Sequence, residues 1–515
     1  MVAQNPSKGN RGPHGQQPFL EEWPDLHAEV DGLQQWIHQA AEEGSAAHEV
    51  ERKLFEKMLA LGKTLFQGFL KLVGPGDFGE SVTLDDGHVV HRSAEEHQRR
   101  LLTVFGDFMV SRWVYAQRDK TRFEFVPTDQ RLQLPASEVS YLLQEWDQLL
   151  GIEHAFGKVR EVIETILRLK QSVDTLEHTN QQMATAAPVF REEQGPVDMN
   201  QEGALLIVTE DNKGIPMVRP VEEKPAGAHR TKGEKANKKQ MACIGCVYSV
   251  DRHVRTPEQL VATLFRDPDR SKEQPPQAQN KRYWAELSRD LCGEEFRGQD
   301  LVFQQLQAEI DTRRQPGQWL IHLCDGQASL ETDRHTYLPD DAHTLDILDL
   351  MHVLPRVWEA AHVFHREASA EASAFVRQQL TRILHGEIGT VIANWRRQAT
   401  CRALPSAKKK TLRTICAFLA KNKHRMCYDE YLRLGCPVAT GVIEGACRHV
   451  IKDRMERAGM RWKVPGAQAM LNLRTIHSNG DWTTFQDFRI TLENELHYPN
   501  IKAYAAREWP AIQAV

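Results

Sequence analysis

Asp211, Asp325 and Glu444 are the residues whose settings could support chemistry. Ala204-Leu205-Leu206-Ile207-Val208-Thr209 is an apolar, β-rich run that meets a turn signal at Glu210-Asp211-Asn212-Lys213-Gly214. Trp319 to Cys324 is a second such run and stops at Asp325-Gly326. Each aspartate is thereby predicted at a strand end. Glu444 belongs to a different kind of element. Pro437, Thr440 and Gly441 mark a helix start with Thr440 as its cap, and Val442, Ile443, Ala446, Val450 and Ile451 follow at helical spacing. Two strand-end aspartates and a helix-borne glutamate form the all-oxygen donor set that Mg²⁺ prefers. Two such ions a few Å apart can activate water and stabilise a leaving oxygen in phosphodiester cleavage.

The same helix carries Arg448 and Lys452 one and two turns beyond Glu444, and Arg454, Arg457, Arg461 and Trp462 follow. A phosphate backbone held at the acids would pass along these cations, and Trp462 could stack on a splayed base. On purely structural grounds, Glu444 favours a helix N-terminus through the macrodipole, and the cations form a solvated face that pairs with it.

The elements that must position these residues read as an α/β order. Strand 204–209 is followed by a predicted second strand at 215–219, a basic Gly/Lys-rich loop from Lys224 to Lys239, and a third strand from Ala242 to Val250. A helix starting at Thr256-Pro257-Glu258 has proline at its first position, and further helix is expected through Lys281 to Leu291 and Gly298 to Arg314. Strand 319–324 and a last strand at 345–349 complete the set, with acidic residues at strand ends, where α/β sheets place ligand sites. Helical periodicity then runs from Leu354 to about Leu434 and separates Asp325 from Glu444.

Upstream, residues 1–20 are rich in Gly, Pro, Asn and Gln and are expected to be disordered. Region 21–132 opens with helical spacing through Val50, Leu54, Met58, Leu61, Leu65 and Phe69, then shifts to short strands near Val89–Arg92 and Leu102–Tyr115, with Phe123–Val126 pairing back. Region 133–185 is helical, with Ser137 as a predicted cap, and fits either a helix-turn-helix that reads DNA or a plain helical subdomain. Residues 186–203 read as a linker. A catalytic domain is expected over 204–353 plus 435–485, a helical insertion over 354–434, and a C-terminal tail over 486–515.

Across its 515 residues the chain has a formal net charge of −5, so any nucleic-acid surface must be a local stripe; Lys408 to Lys410, Lys421 to Arg425 and Arg448 to Lys463 are the basic clusters. None of the nine cysteines precedes Cys243, and the N-terminus is polar, which predicts free thiols in a reducing cytoplasm. Cys243-Ile244-Gly245-Cys246 lies within a β-like run, and its expected role is core packing and not zinc binding. No apolar run reaches the roughly 18 residues of a membrane span.

In the aggregate these motifs resemble the bacterial insertion-sequence transposases with a DDE triad, most closely the group named after the Kra element. The resemblance covers about residues 200–485 and rests on Glu210-Asp211-Asn212-Lys213-Gly214-Ile215-Pro216-Met217, on Val247-Tyr248-Ser249-Val250-Asp251 with Val254-Arg255-Thr256, on Cys324-Asp325-Gly326, and on Asp349-Leu350-Met351-His352. Gly441-Val442-Ile443-Glu444 with Arg454, Arg457 and Gly459-Met460-Arg461-Trp462 completes it. The resemblance implies an RNase H-like mixed sheet flanked by helices with an all-helical insertion, and a mainly helical N-terminal region. It further implies DNA cleavage and joining with two Mg²⁺ ions, for which Mn²⁺ can substitute, held by Asp211, Asp325 and Glu444. Implied partners are double-stranded DNA at element ends, target DNA, and a second copy of the chain in a homodimer or higher homo-oligomer; the implied location is the bacterial cytoplasm at the nucleoid, with no membrane. Asp349 and His352 are auxiliary under this resemblance, His352 either orienting a phosphate or water or serving as a structural histidine after the last strand. Relatives often carry N-terminal cysteine pairs, and this chain has none there. A metal-dependent nuclease of the same fold and a catalytically silent DNA-binding derivative are the alternative functions.

Overall fold

The computed structural model describes residues 24–117, 123–218, 239–291, 293–402, 404–439, 441–457 and 459–498. The chain divides into two compact units. One comprises described residues up to Gly151, Phe156–Leu176 and those from Ile490 onward; the other comprises Ile152–Ala155 and Glu177–Arg489.

In the first unit, α1 (Pro24–Glu42) and α2 (Ala47–Val73) are the helices that the periodicity predicts. They precede β1 (Ser81–Thr83), β2 (Val89–Arg92), β3 (His97–Thr103), β4 (Gly106–Arg112) and β5 (Tyr115–Ala116). β3 and β4 form a hairpin, β1, β2 and β5 a small antiparallel sheet, and Phe125 bridges back to Tyr115 as expected. Val82, Val90, Tyr115 and Phe125 close a local core. The helices α3 (Pro127–Leu132), α4 (Tyr141–Gly151) and α5 (Phe156–Leu167) follow. Ser137 does not cap α4: its hydroxyl accepts from Val139 N at 3.1 Å, a local turn that delays the helix to Tyr141. α6 (Val173–Ala184) comes next in the chain.

The second unit contains α7 (Ala187–Glu193), a helix inside the segment expected to be linker; its Phe190 is buried against Phe485 and Phe488. The strands are β6 (Leu205–Pro216), β7 (Lys239–Val250), β8 (Gln279–Leu287), β9 (Arg289–Leu291), β10 (Glu294–Phe296), β11 (Trp319–Cys324) and β12 (Thr344–Leu348). Interleaved with them are α8 (Pro257–Leu264), α9 (Gly298–Arg313) and α10 (Ala328–Tyr337). A five-stranded mixed sheet runs β12-β11-β6-β7-β8, parallel from β12 to β6 and antiparallel from β6 to β8. Helices flank it. α9 packs Val302, Phe303, Leu306 and Ile310 onto Leu206, Val208 and Val247. The approach is close enough that a Cβ on Gly245 would lie 2.6 Å from Val302 Cγ1, so only glycine fits that position of β7.

Two elements differ from expectation. β6 does not stop at Glu210, because β7 pairs with it along its whole length from Leu205↔Val250 to Pro216↔Lys239 and supplies partners through Asn212, Lys213 and Gly214. Residues 281–291 are strand and not helix: Tyr283 to Leu287 are all buried, as expected for a strand covered on both faces, and a short apolar run of that kind carries no helical period.

The insertion is helical throughout, as its spacing predicts, in α11 (Leu350–Phe364), α12 (Ala370–Leu384), α13 (Ile388–Cys401), α14 (Ser406–Lys421) and α15 (Tyr428–Arg433). The chain returns through α16 (Gly441–Ala446), a π-helical stretch at Cys447–Lys452, α17 (Asp453–Met455), α18 (Val464–Ser478) and α19 (Trp482–His497). α19 carries regular helix into the segment 486–515 that was expected to be a tail. No helix among the described residues is long and apolar enough to cross a membrane.

Candidate active site

Parallel pairing sets the first two acids side by side. β11 aligns with β6 from Trp319↔Leu205 to Leu323↔Thr209. Asp325 and Asp211 each follow that paired stretch by two residues, near enough for the charge of Asp211 to act on Asp325. Asp211 lies within a strand and not at its end, two residues beyond the last residue of β6 that pairs with β11. Asp325 comes directly after β11, its carboxylate accepting from Gln327 N at 2.6 Å. Burial raises the Asp325 pKa, the Gln327 amide and the charge of His352 counter that rise, and the charge of Asp211 adds to it.

Glu444 sits on α16, exposed, as the helix start predicts; the cap expected from Thr440 lies outside the described residues. One turn on, the Cys447 thiol donates to Asp211 Oδ2 at 3.0 Å, tying the helix of Glu444 to β6. Burial, then the charge of Asp211 and the bond to it, push the Cys447 pKa up, with Glu444 contributing in the same direction. Cys447 was not singled out from the sequence, where an isolated cysteine on an apolar face carries no signal.

Asp349 and His352 divide two tasks. Asp349 is buried and caps α11 by accepting from Met351 N at 2.7 Å, while its own N–H bonds Cys324 O at 2.8 Å. His352, in the first turn of α11, is half-buried and acts electrostatically on Asp325.

Beneath the aspartates lies a buried network absent from the sequence reading. His322 of β11 bridges Glu210 of β6, at 2.9 and 3.0 Å from Nε2, and Asp346 of β12, at 3.0 Å from Nδ1; Arg334 reaches Asp346 at 2.8 Å. Alternation along the strands puts these side chains on the face opposite Asp211 and Asp325. A histidine and a glutamate inside otherwise apolar strands were the available signal.

The cationic stripe is only partly as expected. The π-helical stretch interrupts the i, i+4, i+8 spacing, so Glu444, Arg448 and Lys452 do not share one regular helix face. Arg448 and Lys452 are exposed, and Arg448 stands 3.7 Å from Asp453. Arg461 is exposed. Arg454, by contrast, is buried with its guanidinium 4.9 Å over the Trp462 ring, and Trp462 is buried with its indole N–H on Met455 O at 3.2 Å. Trp462 also extends the sheet, since its N–H bonds Pro216 O and its carbonyl accepts from Val218 N. Neither can meet DNA as placed. Arg457 spends its guanidinium on Asp453 O and Glu153 O, at 2.7 and 2.6 Å. Cys243 and Cys246 both lie within β7, as expected, and an odd spacing sends their thiols to opposite faces.

Among the described residues, no group of three His, Cys, Asp or Glu side chains is gathered in a way that could hold a metal ion. The donor chemistry still suits a hard divalent cation: Asp211 and Asp325 are neighbouring carboxylates whose like charges repel, and a cation between them would relieve that repulsion. No protein-family model and no curated protein matches the sequence.

Proposed function

We propose that this protein is a Kra-type DNA transposase that cleaves and joins phosphodiester bonds at insertion-element ends, with Asp211, Asp325 and Glu444 as its triad on an RNase H-like core. The observation that carries this reading is the closeness of Asp211 and Asp325, each two residues past the paired stretch of two parallel strands and near enough for their charges to interact, with the helix of Glu444 bonded to Asp211 through Cys447. The sheet order supports it: numbered by sequence, the five strands run 5-4-1-2-3 with only the second antiparallel to the rest, the arrangement expected of an RNase H-like core.

Asp211, Asp325 and Glu444 would hold Mg²⁺ or Mn²⁺, which would supply water activation and charge stabilisation at the scissile phosphate. The chain itself contributes position and electrostatics. Asp211 is fixed by a strand and by Cys447, Asp325 by the Gln327 amide. His352 offsets negative charge at Asp325 and is placed to orient a phosphate oxygen or water. Exposed Arg448, Lys452 and Arg461 neutralise flanking phosphates. Water attacks the phosphodiester at the element end and leaves a free 3′-hydroxyl; that hydroxyl, losing its proton, then attacks a target phosphodiester, forming a new bond to the target 5′-phosphate while the P–O bond to the target's 3′-oxygen breaks and that oxygen leaves as a 3′-hydroxyl. The partners are duplex DNA at the element ends and at the target, with a second copy of the chain.

Cleavage of labelled element ends in Mg²⁺ tests this. Asp211→Asn and Glu444→Gln are expected to abolish cleavage while keeping DNA binding. Activity of the parent in EDTA, or full activity of either variant, would sink the triad; cleavage without strand joining would reassign the chain to a hydrolytic nuclease.

A further inference from the structure

The helical insertion carries a charge pattern that the proposed site does not use. From Ile388 to Tyr428 the sequence contains ten Lys and Arg residues and no Asp or Glu, in a chain whose net charge is negative. This segment forms the hairpin α13–α14. Its inner faces bury Val391, Ile392 and Trp395 from one helix and Leu412, Ile415, Cys416 and Leu419 from the other. Arg397, Lys409, Lys410, Arg413 and Lys423 are exposed. Along α14, Lys409, Arg413 and Lys421 follow in four-residue steps with the small Ala417 between, so they line one side of the helix. Among the described residues of the segment no large apolar side chain is exposed, so the surface suits a polyanion and not a lipid surface or an apolar protein groove.

The end of α14 is anchored at the candidate site. Arg425, just after it, donates to Cys324 Sγ at 3.5 Å and pairs with Glu331, and Lys421 meets Glu331 at 3.2 Å. A Cβ on Gly326 would lie 3.2 Å from the Asn422 amide oxygen. The C-terminal end of α14 therefore abuts the turn that carries Asp325, and its basic N-terminal end points away. Sixteen residues of helix span roughly 24 Å. That equals about 7 base pairs of duplex at about 3.4 Å each.

We infer that the α13–α14 hairpin is a second contact surface for duplex DNA, gripping the phosphate backbone of the same duplex that is cut at Asp325, within about 7 base pairs of the scissile bond. This assignment rests on the transposase reading for the identity of the polyanion. Its contribution is sequence-independent and salt-sensitive, because each phosphate neutralised releases condensed counterions.

The test is anisotropy of the full chain with a labelled duplex of about 30 base pairs, in EDTA, across a salt series. Combined Lys409→Ala, Lys410→Ala and Arg413→Ala substitutions are expected to weaken binding about tenfold or more and to flatten the log–log salt slope by about 2 to 3. Lys409→Glu with Arg413→Glu should weaken it further, and thermal melts should match the parent because all three side chains are exposed. The deficit should vanish on duplexes truncated near the scissile bond on the hairpin side. Unchanged affinity and slope in both variants would overturn the surface, as would a deficit that is independent of duplex length. A parent that does not bind duplex DNA would overturn both this surface and the transposase reading. Because binding is read without turnover, variant-sensitive binding in a protein that never cleaves would remove the catalytic reading alone.

Discussion

The thiol of Cys447 donates to Asp211 Oδ2 across 3.0 Å, and this bond joins the helix of Glu444 to the central strand of the sheet. Cys447→Ala should therefore leave Asp211 less firmly oriented and lower cleavage by roughly 10- to 100-fold with DNA affinity retained. Cys447→Ser, which keeps a donor, should recover most of the rate. Burial and the neighbouring Asp211 hold the thiol protonated well above its ordinary range, so at pH 8 it should alkylate far more slowly than the exposed Cys401. Mass spectrometry after a timed iodoacetamide pulse reads this, and equal labelling of the two would contradict it.

His322 makes stability pH-dependent from the alkaline side. Burial alone would lower its pKa, but the charge of Glu210 and the bonds to Asp346 and Glu210 raise it to about 10, above the ordinary 6.5. A folded-state pKa above the unfolded one means stabilisation that is complete below pH 6.5 and lost as pH rises through about 10. Melting temperatures between pH 7 and pH 10 should fall in the parent and fall less in His322→Gln. His322→Ala, which strands a buried Glu210, should cost roughly 3–5 kcal/mol at pH 7. Identical pH profiles for parent and His322→Gln would refute the linkage.

Asp147 in α4 works in the opposite direction. Burial raises its pKa to about 7 despite the Gln171 amide bonded to it at 3.0 Å. Ionisation is thus penalised in the folded state: the penalty is absent below pH 3.8, grows as pH rises, and is complete above about 7. Asp147→Asn keeps an acceptor for Gln171 and should stabilise the protein by roughly 2–4 kcal/mol at pH 8. Near pH 4 it should change little. Denaturant titrations at the two pH values decide it, and a gain of equal size at both would exclude the explanation.

Arg454 and its exposed neighbours should separate stability from binding. Burial, then repulsion from Arg474 and Arg457, lowers the Arg454 pKa to about 9, and its guanidinium lies over Trp462. Arg454→Ala should cost roughly 2–4 kcal/mol of stability without altering the salt slope of DNA binding. Arg448→Ala, Lys452→Ala and Arg461→Ala together should flatten that slope by about 2 to 3 and leave the melting temperature unchanged. The reverse pattern, a flattened slope from Arg454→Ala alone, would return that residue to the DNA surface.

The elements with strong period were legible in the sequence and the register between them was not. Apolar, β-rich runs closed by turn residues located β7, β11 and β12, and Pro257 at the first helical position marked the start of α8. The sequence of β8 reads as helix because Tyr283 to Leu287 is a short run buried on both faces, in which periodicity does not separate strand from helix. The closeness of Asp325 and Asp211 depends on non-local pairing, which composition and spacing do not encode. The misplacement of Arg454 and Trp462 has a physical cause as well. Charge and aromaticity suggested exposure, but a π-helical stretch rephases the chain just upstream, and Trp462 is drawn in by backbone bonds to Pro216 and Val218.

The sheet's strand order also dictates when the candidate site can exist. Asp211, Asp325 and Glu444 lie on segments more than a hundred positions apart, and β6 at the centre gains its parallel neighbour only after β7, β8 and α9 have been made. A chain emerging from the ribosome can close the β6–β7–β8 meander early, through antiparallel neighbours. Setting β11 beside β6 must wait, because long-range parallel pairing is slow and costs more loop entropy. Only when the whole insertion has been translated does Cys447 arrive to clasp Asp211. Fragments and stalled nascent chains would carry both aspartates yet have no completed centre, so the order of synthesis itself would hold back the proposed chemistry until the full core has assembled.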